Sequence, residues 1–267
     1  MQRLYNKMKL YVIKIGGNVI DNPQALEVFL SDFAAIKGNK ILVHGGGKVA
    51  TEISKGLGIE AQMVDGRRVT DAETLKIVTM VYAGFINKNV VAQLQAKSCN
   101  AIGLTGADGN IIKSHKRVVK TVDYGFVGDV DEINTGVLKT LIDANLTPII
   151  APITHNKEGV LLNTNADTVA STLAVGMSQL FDVELIYCFE LKGVLRDFED
   201  KNSVINDIDK TYYNELKEAG IVSKGMIPKL DNSFDAIEAG VSAVRICHAD
   251  DLLKILNDNQ KLGTTLK

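Results

Sequence analysis

Two lysines and a set of glycines stand where apolar runs stop. Leu10 to Ile15 is an apolar run carrying one lysine, Lys14, and Gly16-Gly17 follows it. Ile41-Leu42-Val43 runs into His44-Gly45-Gly46-Gly47-Lys48. Each pattern reads as a buried strand ending in a turn without side chains, and a helix-forming segment follows the second. Glycine lets a ligand approach backbone N–H groups closely. N–H groups at the start of a helix favour an anion. Two such turns side by side make a cradle for phosphate. The triple glycine is not a Walker A loop, because Gly47-Lys48 is followed by Val49 rather than Ser or Thr. The dinucleotide pattern G-x-G-x-x-G is also missing from it. His44 reads as a structural residue fixing its turn, and Lys48 as a solvated helix residue.

Three later stretches carry further chemistry. Arg67-Arg68 lie just before a long helical segment, and adjacent guanidinium groups there suit a dicarboxylate, which Arg grips bidentately. Asn163, Asn165 and Asp167 alternate along an extended segment and so share one side of it. Asp167 then opens an Ala/Val-rich helix, where a cap role alone would explain it. Lys229 enters another helix near its start, where a cation is slightly unfavourable, which argues that it serves a ligand.

The elements that must position these residues follow from periodicity. Strand Leu10–Ile15, a simple lead-in over Asn18–Asp21, a helix capped by Asn22 with Pro23 in its first turn, and strand Ile41–Val43 give a strand–helix–strand order. That order predicts an α/β fold with a parallel sheet and right-handed crossovers. Ala72 to Lys97, with Thr70 or Asp71 as its cap, is predicted as the longest helix, with apolar residues enough for the core and for a dimer interface. Ile111–Lys113 and Val118–Val122 are predicted as a hairpin, Asp207–Glu218 as a polar helix, and Val183–Phe189 and Ala243–Cys247 as strands.

Composition bounds the functions. The 267 residues suffice for one large α/β domain or two lobes, and 46% apolar residues support a sizeable core. Thirty Lys and Arg against 32 Asp and Glu leave a net charge of −2, so there is no electrostatic case for nucleic acid or an anionic membrane. Cys99, Cys188 and Cys247 are far apart and sit among apolar residues, which suggests buried free thiols in a reducing compartment. No run reaches the length of a signal peptide core or a membrane span, so the expectation is a cytoplasmic protein.

Five motifs together carry a family resemblance: KIGGN from Lys14, VHGGGK from Val43, DGRRVTD from Asp65, NTNAD from Asn163 and KGMIPK from Lys224. In this order, over nearly the whole chain, they resemble the amino-acid kinase family, and within it the branch that phosphorylates N-acetylglutamate in arginine biosynthesis. The resemblance implies a three-layer αβα sandwich with a mostly parallel sheet and two lobes. Residues 1–177 would bind the acylglutamate and dimerise, and residues 178–267 would bind ATP. It implies that Lys14 and Lys229 flank the transferred phosphoryl group and that Asp167 orients both. Gly16, Gly17, Gly45 and Gly46 would hold phosphate oxygens by their N–H groups. Arg68 would grip the substrate α-carboxylate and Asn163 would lie near the acylated nitrogen. Lys224, Gly225 and Met226 would border the nucleotide, which brings Mg²⁺ with it; no metal-ligating residues of the protein are implied.

Two positions depart from the family pattern. Phe189-Glu190 stand where relatives carry Ser or Thr followed by Asp near the nucleotide, so Phe189 would either contact the nucleotide or fill space. Arg67 stands where relatives carry an apolar residue near the acyl group, which raises a charged acyl tail, as in N-succinylglutamate, beside the ordinary N-acetylglutamate. Arginine-inhibited relatives carry an extra N-terminal helix, and only Met1 to Met8 precede the first strand here, so the expectation is a plain homodimer without arginine feedback. Two rival readings are a sister kinase with another acceptor and a ligand-binding regulator that keeps the fold without turnover.

Overall fold

The computed structural model describes residues 7–64, 67–222, 226–257 and 260–267. The chain opens with β1 (Lys9–Ile15), the short α1 (Gly17–Asp21), α2 (Pro23–Ala35), β2 (Asn39–His44) and α3 (Gly47–Gly56). A small hairpin, β3 (Met63–Val64) and β4 (Arg67–Arg68), precedes a long helical run. That run comprises α4 (Ala72–Val78), a π-helical stretch (Thr79–Ile86) and α5 (Asn87–Ala96). Next come β5 (Ala101–Leu104), β6 (Ile112–Lys116), β7 (Gly128–Ile133), α6 (Thr135–Asp143), β8 (Thr147–Ile150), β9 (Ile153–His155), β10 (Leu161–Asn163) and α7 (Ala166–Ser178). The last third holds β11 (Asp182–Phe189), β12 (Asp207–Ile208), α8 (Lys210–Glu218), α9 (Ile227–Glu238), β13 (Ala243–His248), α10 (Leu252–Asn257) and β14 (Thr264–Leu266).

Eight strands form one sheet in the order β12-β14-β13-β11-β1-β2-β8-β5. The pairings from β13 through β5 are parallel, and β14 runs antiparallel to β13. Parallel strands buried on both faces need an apolar centre, and β2 has one: Ile41, Leu42 and Val43 have no exposed surface. Side-chain alternation divides β1 between two cores. Leu10 and Val12 pack with Leu173 of α7 and Phe234 of α9 on one face. Ile13 and Ile15 pack with Phe29 and Phe33 of α2 and Leu94 of α5 on the other. Lys14 therefore emerges on the face covered by α7 and α9.

Several expectations hold. The Asn22 side chain caps α2, accepting from the Gln24 and Ala25 N–H groups at 3.1 Å each, with Pro23 in the first turn. Asp71 caps α4, accepting from Thr74 N–H at 2.8 Å. Three local expectations are corrected. Gly17–Asp21 is a helical turn rather than a simple lead-in. The hairpin partner of β6 is β7, ten residues beyond the expected strand, because Ser114–Lys116 continue β6 and a register shift between Lys113 and Ser114 absorbs the irregularity. Asp207–Ile208 pair with β14 as an edge strand, and the helix begins only after Asp209, whose side chain caps it.

Candidate active site

The charged centre is built from three elements. Lys14 comes from β1, Asp167 from the first turn of α7, and Lys229 from the first turn of α9. The Lys14 Nζ stands 2.7 Å from Asp167 Oδ1, and the Lys229 Nζ donates to Asp167 Oδ2 at 2.8 Å. Burial disfavours the charged Asp167, but the two ammonium charges outweigh it and hold its carboxyl below the usual carboxylate range. Asp167 is free for this because it does not cap its own helix. Asn165 does, accepting from Asp167 N–H at 2.8 Å and Thr168 N–H at 3.1 Å. Phe189, the last residue of β11, faces the same centre: its ring centroid is 4.2 Å from Lys229 Nζ and 5.2 Å from Lys14 Nζ.

A cavity of about 390 Å³ opens beside this centre, a volume suited to a small metabolite. Gly45, Gly46, Arg67, Arg68, Arg117 and Asn163 are among the residues on its wall, and Asn165 and Ala166 bring it up to Asp167. Gly46, in the turn between β2 and α3, has φ 148°, a conformation that favours glycine, and a Cβ there would overlap Ile86 Cδ1. Beneath it His44 is fully buried, and burial pushes its pKa down to about 4. Its Nε2 accepts from the Asn87 amide at 3.1 Å, so the proton sits on Nδ1 and is donated to Gly45 O at 2.8 Å. Neutral His44 thus ties the glycine turn to α5, as expected for a structural residue.

Arg68 is buried, and its Nη2 donates to Gly47 O at 2.7 Å and to Thr51 Oγ1 at 2.6 Å. Its buried Nη1 has no hydrogen-bond partner among the described residues. A guanidinium fixed by one nitrogen and unpaired on another keeps donors for a carboxylate, which would reach them by a small shift of the cavity wall. The Asn163 Nδ2 donates to Thr70 Oγ1 at 3.0 Å, which orients its amide at the cavity. Arg67 is exposed on the rim.

Sequence reasoning missed Arg117. Its Nε donates to both Asp129 carboxylate oxygens at 3.1 Å, and its Nη2 to Oδ1 at 2.5 Å. The hydrogen bonds from Arg117 hold the Asp129 carboxyl below the usual carboxylate range. Arg117 lies in the Ser114–Arg117 segment read as a turn, so its alignment with β7 was invisible without the long-range pairing.

On the nucleotide side the expected residues divide. Gly16 is engaged, its N–H donating to Cys188 O at 3.3 Å, while Gly17 opens α1. Glu190 is exposed and Phe189 half-buried. Met226 is half-buried and lines a small cleft of about 40 Å³ with Val194, Leu195, Phe198, Ile221 and Val222. Lys224 and Gly225 lie outside the described residues, as do Asp65 and Gly66 of the DGRRVTD motif.

A profile described as the amino acid kinase family matches residues 9–248. The chain belongs to the amino-acid kinase family. As a member of it, the chain is 66% identical to an acetylglutamate kinase from Cytophaga hutchinsonii over 97% of its own length and 98% of the relative's. It is 54% identical to an acetylglutamate kinase from Bacteroides thetaiotaomicron over 97% and 98% of the two chains. Among solved structures, a Streptococcus mutans protein superposes with a TM-score of 0.76 at 26% identity, covering 97% of this chain and 98% of that one. The mostly parallel central sheet with helices on both faces is the architecture expected of this family.

Proposed function

We propose that the chain transfers the γ-phosphoryl group of ATP to the γ-carboxylate of N-acetylglutamate, a step of arginine biosynthesis. The observation that carries this reading is the Lys14–Asp167–Lys229 cluster set beside a cavity that holds Arg68 and Asn163. Full-length similarity to acetylglutamate kinases supports it. A carboxylate nucleophile is already ionised, so no general base is needed; the difficulty is bringing two anions together in line. Arg68 would take the α-carboxylate through its unpaired Nη1 once the wall shifts, and Asn163 would face the acylated nitrogen. Gly45 and Gly46 would offer backbone N–H groups to the phosphoryl oxygens. Lys14 and Lys229 would neutralise charge as the phosphoryl group passes between them, and Asp167 would hold their ammoniums in place.

The nucleotide would lie on the other side of the centre. Its base would lie towards the apolar side chains of Val194, Leu195 and Met226, whose cleft of about 40 Å³ must widen to admit it, and Gly17, Phe189 and Glu190 would border its phosphates. Lys224 and Gly225 remain part of the proposed nucleotide site by their motif. Mg²⁺ would be held by the nucleotide phosphates, since Asp167 is committed to both ammoniums. In this reading residues 1–177 hold the acceptor and 178–267 the nucleotide. A homodimer is part of the proposal, because the long helical run exposes Met80 and Phe85, apolar surface that a second copy would cover. Among the described residues no helix is long and apolar enough to cross a membrane.

One observation favours a second reading of the acyl group. Arg67 shares the cavity wall with Arg117, whose Nη1 is buried without a hydrogen-bond partner among the described residues. That pair suits a carboxylate on the acyl tail, as in N-succinylglutamate. The test is ATP- and Mg²⁺-dependent acyl-phosphate formation, trapped with hydroxylamine, with N-acetylglutamate, N-succinylglutamate, glutamate and aspartate side by side. Turnover of either acylglutamate supports the kinase, and the ratio of the two assigns the acyl group. Turnover of none of them overturns the reading.

A further inference from the structure

We propose that Phe189 is a positioning residue for phosphoryl transfer, seating the ammoniums of Lys14 and Lys229 on the face of its ring. The proposal rests on the phosphotransferase reading above and adds a part to it. Both ammoniums lie within the 6 Å range of a cation–π contact, Lys229 at 4.2 Å and Lys14 at 5.2 Å from the centroid.

The ring is held there by the sheet. In the β1–β11 register Lys14 lies beside Tyr187 and Ile15 beside Cys188, so Phe189 reaches one residue past the end of β1. Its ring lies nearly parallel to that of Tyr187, at 6.0 Å and 12°. Tyr187 is buried, and its hydroxyl donates to the Asp167 backbone carbonyl at 3.4 Å. On the other side, a Cβ on Gly16 would stand 3.8 Å from Phe189 Cδ1, so the ring rests against the glycine turn. Tyr187, Phe189, the two lysines and Asp167 therefore close a loop of contacts.

What the ring does differs from what a polar side chain would do at this position. An ammonium has three N–H donors and no acceptor. Asp167 pairs with one carboxylate oxygen to each lysine. A hydroxyl or carboxylate at position 189 would draw on a further donor, and a carboxylate would also cancel charge. The ring attracts both cations without taking a donor and without adding negative charge, so the remaining donors are kept for phosphoryl oxygens. It also offsets the mutual repulsion of two ammoniums sharing one carboxylate.

The decisive experiment replaces Phe189 with 4-fluoro-, 3,5-difluoro- and 3,4,5-trifluorophenylalanine, which keep the ring's shape while withdrawing electron density from its face. The expected result is a stepwise fall in kcat for acyl-phosphate formation, to about a tenth of the parent rate with three fluorines, at constant KM for the acylglutamate. Phe189→Tyr should retain the rate, and Phe189→Leu should lose it to at least the same extent. A flat kcat across the fluorinated series overturns the proposal, since packing alone is insensitive to ring electronics. NMR of lysine labelled at the ε carbon tests the seat without turnover. The Lys229 ε-methylene should resonate upfield in the parent protein and return toward its solvent position in Phe189→Leu, and an unshifted parent resonance also overturns the seat. If the parent protein phosphorylates no acylglutamate, the functional reading fails, while the NMR shift still decides the placement of the lysines.

Discussion

Asn165 and Asp167 divide the start of α7 between them. The Asn165 side chain takes the N–H groups of Asp167 and Thr168, and this leaves the Asp167 carboxylate to bind Lys14 with one oxygen and Lys229 with the other. Two residues that look alike as capping candidates thus have separate work. Asn165→Ala should cost about 1 kcal/mol of stability, the usual worth of a lost cap. It should also lower kcat, because an uncapped helix start invites Asp167 to turn inward. Thermal unfolding and the hydroxamate assay on the same preparation check both halves.

Lys14→Ala and Lys229→Ala should each lower kcat about a hundred- to a thousand-fold, by analogy with loss of one donor to a developing oxyanion. Both variants should remain folded, since both side chains end in the charged cluster with Asp167 rather than in a hydrophobic core. Circular dichroism and steady-state kinetics test this, and near-normal turnover in either variant removes that lysine from the mechanism.

Asp167→Asn should also slow the reaction, because a neutral amide cannot balance two ammoniums. The two lysines lower the Asp167 pKa in the folded protein below its ordinary value of 3.8. Its stabilising contribution is therefore complete above that value and is lost as pH falls through the lower, folded value. In the Asn variant that strongly acid component of unfolding should be missing, which denaturant titrations below pH 4 would reveal.

His44 gives a second and separate acid sensitivity. Its pKa falls from 6.5 in the unfolded chain to about 4 in the fold. Below 6.5 the unfolded chain binds a proton that the buried ring refuses, so stability declines as pH falls from 6.5 towards 4. The full span amounts to roughly 3 kcal/mol. Urea titrations at pH 7.5 and pH 5 should show this decline in the parent protein and a smaller one in His44→Gln, whatever the variant's absolute stability.

Gly46→Ala should abolish turnover and lower Tm, since it combines φ 148° with a Cβ overlapping Ile86. Gly56→Ala is the control: nothing lies within 4 Å of its Cβ position, and alanine there should be neutral or stabilising by up to about 1 kcal/mol. Differential scanning of the two variants separates a required glycine from a tolerated one.

The parts of this molecule legible in the sequence are those fixed by neighbours along the chain. Periodicity located β1, β2, β11 and the long helical run, and the Asn22-Pro23 and Asp71 starts were readable because a cap lies within three residues of its helix. The motifs named the family, and Lys14, Asp167 and Lys229, which three of them carry, come together in the structure. Long-range pairing was not legible. β6 finds its partner beyond an eleven-residue excursion, and that pairing alone brings Arg117 to the cavity wall. The exchange of roles between Asn165 and Asp167 was equally hidden, since both residue types cap helices and only the positions of two distant lysines decide between them. Phe189 read as either a nucleotide contact or a space-filler, because a ring's cation partners come from strands and helices remote in sequence.

The seven residues of β1 lie in register against β11, so residues 1–177 and 178–267 share one continuous sheet. The boundary is therefore a seam inside a sheet, and relative movement of the halves would be torsional. Twisting of the strands about that seam would change the separation of Lys229 from Lys14 while every strand keeps its neighbour. Small helix displacements over a continuous sheet are shear rather than hinge movements. A joint of this kind would resist wide gaping, its range limited by the stiffness of a hydrogen-bonded ribbon.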